Sequence, residues 1–268
     1  REALSLAIEK SGLKRENINL LFAGDLLGQS IASSFGNMNF DIPFVGLYGA
    51  CSTSGLSIAM AAMMIAGGMT ENASAEKEFR FPLDYGNQRP MSATTTVTGS
   101  GAFILSGQKS ELDYARVTAI TIGKIVDLGI RDSMNMGACM APAAADTIER
   151  HLRDFQRKPE DYDRIITGDL GMVGQTALVD LLQKKGIDIT AQHMDCGIEI
   201  YDESQDAHSG GSGCGCAAVT LAALILKKLK EGSYKRVLFV PTGALLSKVS
   251  FNEGKSIPGV AHAVEFAG

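Results

Sequence analysis

The chain has 268 residues, of which 45% are hydrophobic and 21% charged, and its formal net charge is -5. This length and balance fit one large globular domain or two fused halves with a sizeable core. The acidic charge gives no electrostatic basis for nucleic-acid binding, and the five cysteines of so long a chain form no disulfide framework.

The chain begins at Arg1, without Met and already inside an apolar helical pattern (Ala3, Leu4, Ala7, Ile8), so a preceding N-terminal segment is expected. "INLLFAGDL" follows an acidic or amide turn and predicts a short buried parallel strand with Asp25 at its end. "GACSTSGLSIAMAAMMIAGG" comes next. It is an elbow of small residues carrying Cys51, then a helix apolar on most of its surface and stopped by Gly67 and Gly68. The longest apolar stretch, Leu56 to Met69, is shorter than a bilayer requires, so it predicts a core helix. No signal peptide is visible. "TENASAEKEFRFP" is polar and helix-breaking. Strands are predicted within Thr96 to Gly107 and Arg116 to Asp127, and a helix over Ala143 to Phe155.

The pattern then repeats. "YDRIITGDL" ends in the same Gly-Asp-Leu, with Asp169 lying 144 positions after Asp25. "GSGCGCAAVTLAALILKKLKEG" is a second elbow and Ala-rich helix, its cationic end suited to a helix C-terminus. Cys51 precedes Gly67 by 16 positions, and Cys214 precedes Gly232 by 18. The second helix is followed by a good strand, "YKRVLFVPTGALLS", and a last one is predicted in "GVAHAVEFA". Two halves are expected, 1–110 and 111–268, joined by the polar Gln108 to Arg116. The first half has no apolar strand at the offset where the second has one, so a strand near 69–75 is expected to be missing from it. Alternating strands and helices in two similar halves give an α/β class.

A duplicated β/α half with a cysteine at the start of a buried central helix resembles the thiolase superfamily, which includes thiolases and ketoacyl synthases. That resemblance implies a layered α/β/α/β/α fold with two mixed sheets. "AGDLL", "GACSTS", "FRFPLDYGNQRP", "TTTVTGSGA", "DLGIRDSMNMGACMAPAAADTI", "TGDL", "GGSGCGCAA" and "TGALLS" together resemble the stage V sporulation protein AD family over nearly the whole chain. This implies binding of dipicolinic acid and support of its uptake into the developing spore, with a link to spore germination. It also implies membrane channel partners from the same sporulation operon, a peripheral place on the forespore or spore inner membrane, and a homodimer pairing sheets across a two-fold axis. The family carries an additional N-terminal segment and a strand after the first central helix. No cofactor is implied.

A thiolate at a helix N-terminus has a lowered pKa, and condensing enzymes use such a cysteine to take an acyl group. They also need a histidine with an asparagine or second histidine on loops of the second half. The loop after "RIITGDL" offers Gly168, Asp169 and Leu170, and the loop at "HSGGSGCGC" offers Gly211, Ser212 and Gly213. His151, His193, His208 and His262 fall elsewhere. A cysteine without a base is a poor condensing catalyst, so no catalytic residue is assigned and a non-catalytic protein is expected. The alternative is a Cys51-dependent acyltransferase or condensing enzyme of the ketoacyl synthase type, or else a purely structural scaffold.

For a dipicolinate dianion, the helix starts at Cys51 and Cys214 are expected to present N–H groups at one centre. Ser52, Thr53 and Ser212 would add hydroxyls and Gly213 close backbone approach. Arg80 and Arg89 bracket an aromatic loop with Phe81 and Tyr85 that could stack on a pyridine ring, and an exposed dimer-contact loop is the equal rival. Asp25 reads as a turn or N-cap aspartate. Asp169 reads as a pocket residue, although its charge opposes a dianion unless it orients donors or a cation. Calcium could bridge the ligand, but no loop has calcium-ligand spacing. No metal site is assigned, because Cys214 and Cys216 lack a second pair. Cys139 and Cys196 read as structural.

Overall fold

The computed structural model describes residues 2–26, 30–70, 90–108 and 114–268, and the backbone of 72–77. The first half comprises α1 (Glu2–Ser11), β1 (Leu20–Gly24), α2 (Ile31–Asn37), β2 (Phe44–Gly46), α3 (Thr53–Ala66), β3 (Asn72–Lys77), β4 (Thr95–Thr96) and β5 (Gly101–Ser106). The second begins with β6 (Arg116–Thr121), α4 (Met136–Asp154), β7 (Arg164–Thr167), α5 (Gly171–Gln183), β8 (His193–Asp195) and α6 (Cys196–Glu199). It ends with β9 (Gly211–Ser212), α7 (Cys214–Thr220), α8 (Leu226–Lys230), β10 (Arg236–Val240), β11 (Thr242–Ala244), α9 (Lys248–Asn252), β12 (Gly259–Ala261) and β13 (Ala263–Ala267).

Two mixed sheets result. The first has the order β2-β1-β3-β5, with β1 parallel to β2 and β3, and β5 antiparallel to β3. The second has the order β6-β13-β10-β7-β8, with β10, β7 and β8 parallel and β13 antiparallel to both its neighbours. Helix α1 covers β3 and β5 from outside, and α4 and α5 pack together beside the second sheet. Helix α3 lies between the sheets, against β1, β3 and β5 on one side and β13 on the other. This is the expected α/β/α/β/α layering. The short pairing of β4 with β9 ties the halves together.

Burial follows the sequence pattern. The continuous apolar runs of β7 and β10 supply Ile165, Ile166, Leu238 and Phe239, all with no solvent exposure, as expected of strands covered on both faces. One core joins Met140, Ile148, Leu178 and Leu182 of α4 and α5 to Ile165 and Leu238. Another joins Ile58 of α3 and Leu221 to Ile166, Phe239 and Val264. The second central helix is continuous from α7 through a π turn, Leu221–Ile225, into α8. No described helix is long and apolar enough to cross a membrane.

Two expectations are corrected. The polar stretch after α3 does not leave a gap: Asn72–Lys77 form β3, parallel to β1 on one side and antiparallel to β5 on the other. Backbone pairing on both edges makes a strand there without any alternation of apolar residues. Helix α4 starts at Met136, not Ala143, because the Asn135 side chain accepts the Ala138 N–H (3.2 Å) and caps it, with Pro142 carried inside. His151 of α4 is fully buried, between the Thr121 hydroxyl (2.9 Å) and Tyr162 (3.1 Å). Tyr162 in turn donates to the buried Glu265 at 2.7 Å. Burial alone would raise the Glu265 pKa, but hydrogen bonds from Thr118 and Tyr162, with Arg157 and Arg236 beside it, hold it low.

Candidate functional site

The first elbow is a buried turn just ahead of a helix. A 3₁₀ turn, Ala50–Ser52, leads into α3, so Cys51 sits in the approach to the helix rather than in its first α turn. Ala50 has φ 47°, a left-handed conformation uncommon for a residue with a Cβ. Local hydroxyls hold it there. Thr53 Oγ1 donates to the Ala50 carbonyl (2.7 Å) and accepts the Gly49 N–H (3.1 Å), and Ser52 Oγ donates to the Gly49 carbonyl (2.6 Å). The Ser52 and Thr53 hydroxyls, expected at a ligand, are thus spent within the elbow itself. Gly243 of β11 packs directly on the turn. A Cβ there would overlap the Gly49 carbonyl oxygen and lie 3.2 Å from the Cys51 nitrogen.

The second elbow meets the first through sulfur: Cys214 Sγ lies 3.5 Å from the Ala50 carbonyl oxygen. Its own helix start is already occupied by an anion of the protein. The buried Asp169 carboxylate accepts the Ser212 hydroxyl (2.9 Å), the Gly213 N–H (3.0 Å) and the Thr242 hydroxyl (3.0 Å). Gly213 adopts φ 108°, which a side chain would not tolerate. The expectation that both helix starts offer their amides to one ligand is corrected: the Gly213 amide faces Asp169, which explains how an aspartate stands where a dianion was expected. Asp25, its counterpart in the first half, accepts the Ser33 N–H (2.7 Å) in the first turn of α2 from outside that helix, whose N-cap position is Ser30.

The neighbouring Asp195 has a similar role. It accepts the Thr167 hydroxyl (2.6 Å) and the N–H groups of Leu170 (2.9 Å), Gly171 (3.0 Å) and Gly197 (3.0 Å). Its burial outweighs those donors and pushes its pKa up to about 6. Thr167 also meets His193 Nε2 at 3.0 Å, and burial lowers the His193 pKa to about 4. Cys139, Cys196 and Cys216 are buried thiols whose pKa values burial drives upward, to about 11 for Cys139, which makes them poor nucleophiles.

Two elbow residues escape sequence reasoning. Tyr48, 52% exposed, stands at the mouth, and its phenol pKa is raised by partial burial and by the proximity of both Cys51 and Cys214. His262, between β12 and β13, brings its ring against Gly49: a Cβ on Gly49 would lie 3.7 Å from His262 Nε2. His262 Nδ1 accepts the Gly123 N–H at 3.2 Å. A backbone N–H can only donate, so Nδ1 is the acceptor and Nε2 carries the proton. Burial lowers the His262 pKa to about 4, so the ring is neutral near pH 7. Nothing in "GVAHAVEFA" announces this, because the approach joins residues more than 200 positions apart.

Arg80 and Arg89, with Phe81 and Tyr85, lie outside the described residues. Two surface grooves of about 520 and 380 Å³ lie elsewhere, one lined by Asn37, Met38 and Phe44 and the other by Met172, Val179 and Gln183. Among the described residues no group of three or more His, Cys, Asp or Glu side chains is placed to hold a metal ion.

Comparison with known proteins gives a consistent result. The family model for stage V sporulation protein AD matches residues 1–267. The chain is 43% identical over 274 residues to stage V sporulation protein AD of Bacillus subtilis (strain 168), across 99% of this chain and 80% of that protein. Among solved structures it is similar to a tetronic acid condensing enzyme (TM-score 0.64, 17% identity, 100% of this chain and 84% of that one). It is similar also to 3-oxoacyl-[acyl-carrier-protein] synthase III of Aquifex aeolicus VF5 (0.64, 14%, 99% and 82%). A variant of OleA from Xanthomonas campestris gives 0.66 at 14% identity, over 100% of this chain and 79% of that one. At these identities the structural likenesses establish the thiolase-like fold.

Proposed function

The chain belongs to the stage V sporulation protein AD family, and from that premise we propose that it is a non-catalytic thiolase-like protein that binds dipicolinic acid at the Cys51 elbow and supports its uptake into the developing spore. The observation that supports this most is the state of the one imidazole at the elbow. Because His262 Nδ1 already accepts the Gly123 N–H, its Nε2 holds a proton and has no lone pair with which to take one from Cys51. General-base activation of the thiol therefore lacks its base. Next to Gly49, against which the His262 ring packs, stands the exposed Tyr48 ring.

Calorimetric titration with dipicolinate, with and without calcium, tests the proposal; binding in the micromolar-to-millimolar range is expected, and none would favour a scaffold. The alternative, acyl transfer through Cys51, draws on the fold shared with condensing enzymes. Treatment with acyl-CoA followed by mass spectrometry would select it if Cys51 carried an acyl group and turned over.

Membrane channel proteins of the same operon are the proposed partners, and the peripheral place on the spore inner membrane would come through them. A homodimer is proposed at the β2 edge of the first sheet, where Phe44 and Val45 are exposed beside Phe35 and Met38. An open edge with apolar side chains is suited to pairing with a second copy. Light scattering should report a dimer, and Val45→Lys a monomer.

A further inference from the structure

We infer that His262 is a ligand-binding residue, its Nε2–H donating to a carboxylate oxygen of the molecule held at the Cys51 elbow. The inference rests on the dipicolinate proposal and adds to it the side chain that reads the carboxylate. His262 is 5% exposed and fixed from three sides. Its backbone N–H reaches the Pro241 carbonyl at 3.4 Å, its own carbonyl would stand 3.3 Å from a Cβ on Gly55 of α3, and its Nδ1 is held by Gly123. The ring cannot turn over without forfeiting the Gly123 bond, so Nε2 stays on the Gly49 side.

On that side the ring makes no second hydrogen bond to a described residue, and Nε2 is not among the buried atoms sealed off without a partner. It is thus a preorganised donor on an almost fully buried side chain, directed to the Gly49 side of the elbow. A donor of this kind is costly to leave unmade, and a carboxylate is the strongest acceptor a small metabolite can offer it.

Dipicolinate titrations of wild type, His262→Leu and His262→Gln decide the matter, since a glutamine amide can replace the Nε2–H donor. Leucine should weaken binding on the order of tenfold to a hundredfold while glutamine restores most of it. In the wild type, the His262 Nε2–H resonance should shift downfield on adding dipicolinate, a readout that does not depend on how the variants fold. Wild-type binding with no such shift, or leucine binding as tightly as wild type, would overturn the inference and leave the ligand intact. No binding by wild type would overturn the ligand proposal, and the inference with it.

Discussion

The two elbows are alike in sequence but differ in how an aspartate meets them. At the second, Asp169 reaches across from the end of β7 and takes the Ser212 hydroxyl and Gly213 amide, so the helix start carries an internal counter-ion. At the first, Asp25 turns to α2 instead, and the Ser52 and Thr53 hydroxyls bond within the turn at Cys51, where Ala50 is left-handed. The two similar helix starts thus differ in what closes them: an aspartate from β7 at one, local hydroxyls and backbone at the other.

The largest expected effect tests whether the first elbow depends on the second half for its shape. Gly243→Ala drives a Cβ into the Gly49 carbonyl. It should cost about 3 kcal/mol or more and lower Tm by roughly 6–12 °C; a normal melting curve would show that the elbow does not need β11. The next effect sharpens the contrast between the aspartates. Asp169→Asn sets an amide donor against three converging donors and should cost about 2–3 kcal/mol in urea denaturation. Asp25→Asn keeps an oxygen for the Ser33 N–H and should cost about 1 kcal/mol. Equal losses would break the comparison.

A separate effect is acid sensitivity. His193 and His262 have folded pKa values lowered to about 4, against an ordinary 6.5. Below pH 6.5 the unfolded chain takes up protons that the folded one refuses, so stability is lost as pH falls from 6.5 toward 4, by about 2 kcal/mol per histidine between pH 7 and 5. Asp195, raised to about 6, works the other way, adding relative stability as pH falls from 6 toward 3.8. Denaturation at pH 7 and pH 5 should show a smaller acid loss in His262→Gln than in wild type. An identical loss would mean that the His262 ring is not held neutral.

What the sequence disclosed follows from how local each signal is. The paired Gly-Asp-Leu strands and the two elbow helices were legible because each is written in a few consecutive residues, and so was the layered α/β architecture they imply. Strand β3 was not, since Asn72–Lys77 draws its structure from β1 and β5 rather than from its own pattern. Asp169 was placed at the site but its partners were not, because Thr242 comes from a strand more than 70 positions away. His262 was set aside as a strand residue, since only the crossing of β12 and β13 past Gly49 gives it a position at the elbow.

The π turn at Leu221–Ile225 accounts for part of the unequal spacing between the two helices. A π turn is a one-residue insertion absorbed as a bulge, so the residues beyond it keep the faces they would hold in a regular helix one residue shorter. Leu229 stays buried and the terminal lysines stay outward despite the extra residue. Removing Ala222 or Ala223 should therefore let the bulge close into ordinary α-helix, leaving both Leu229 and the elbow about two turns upstream in place.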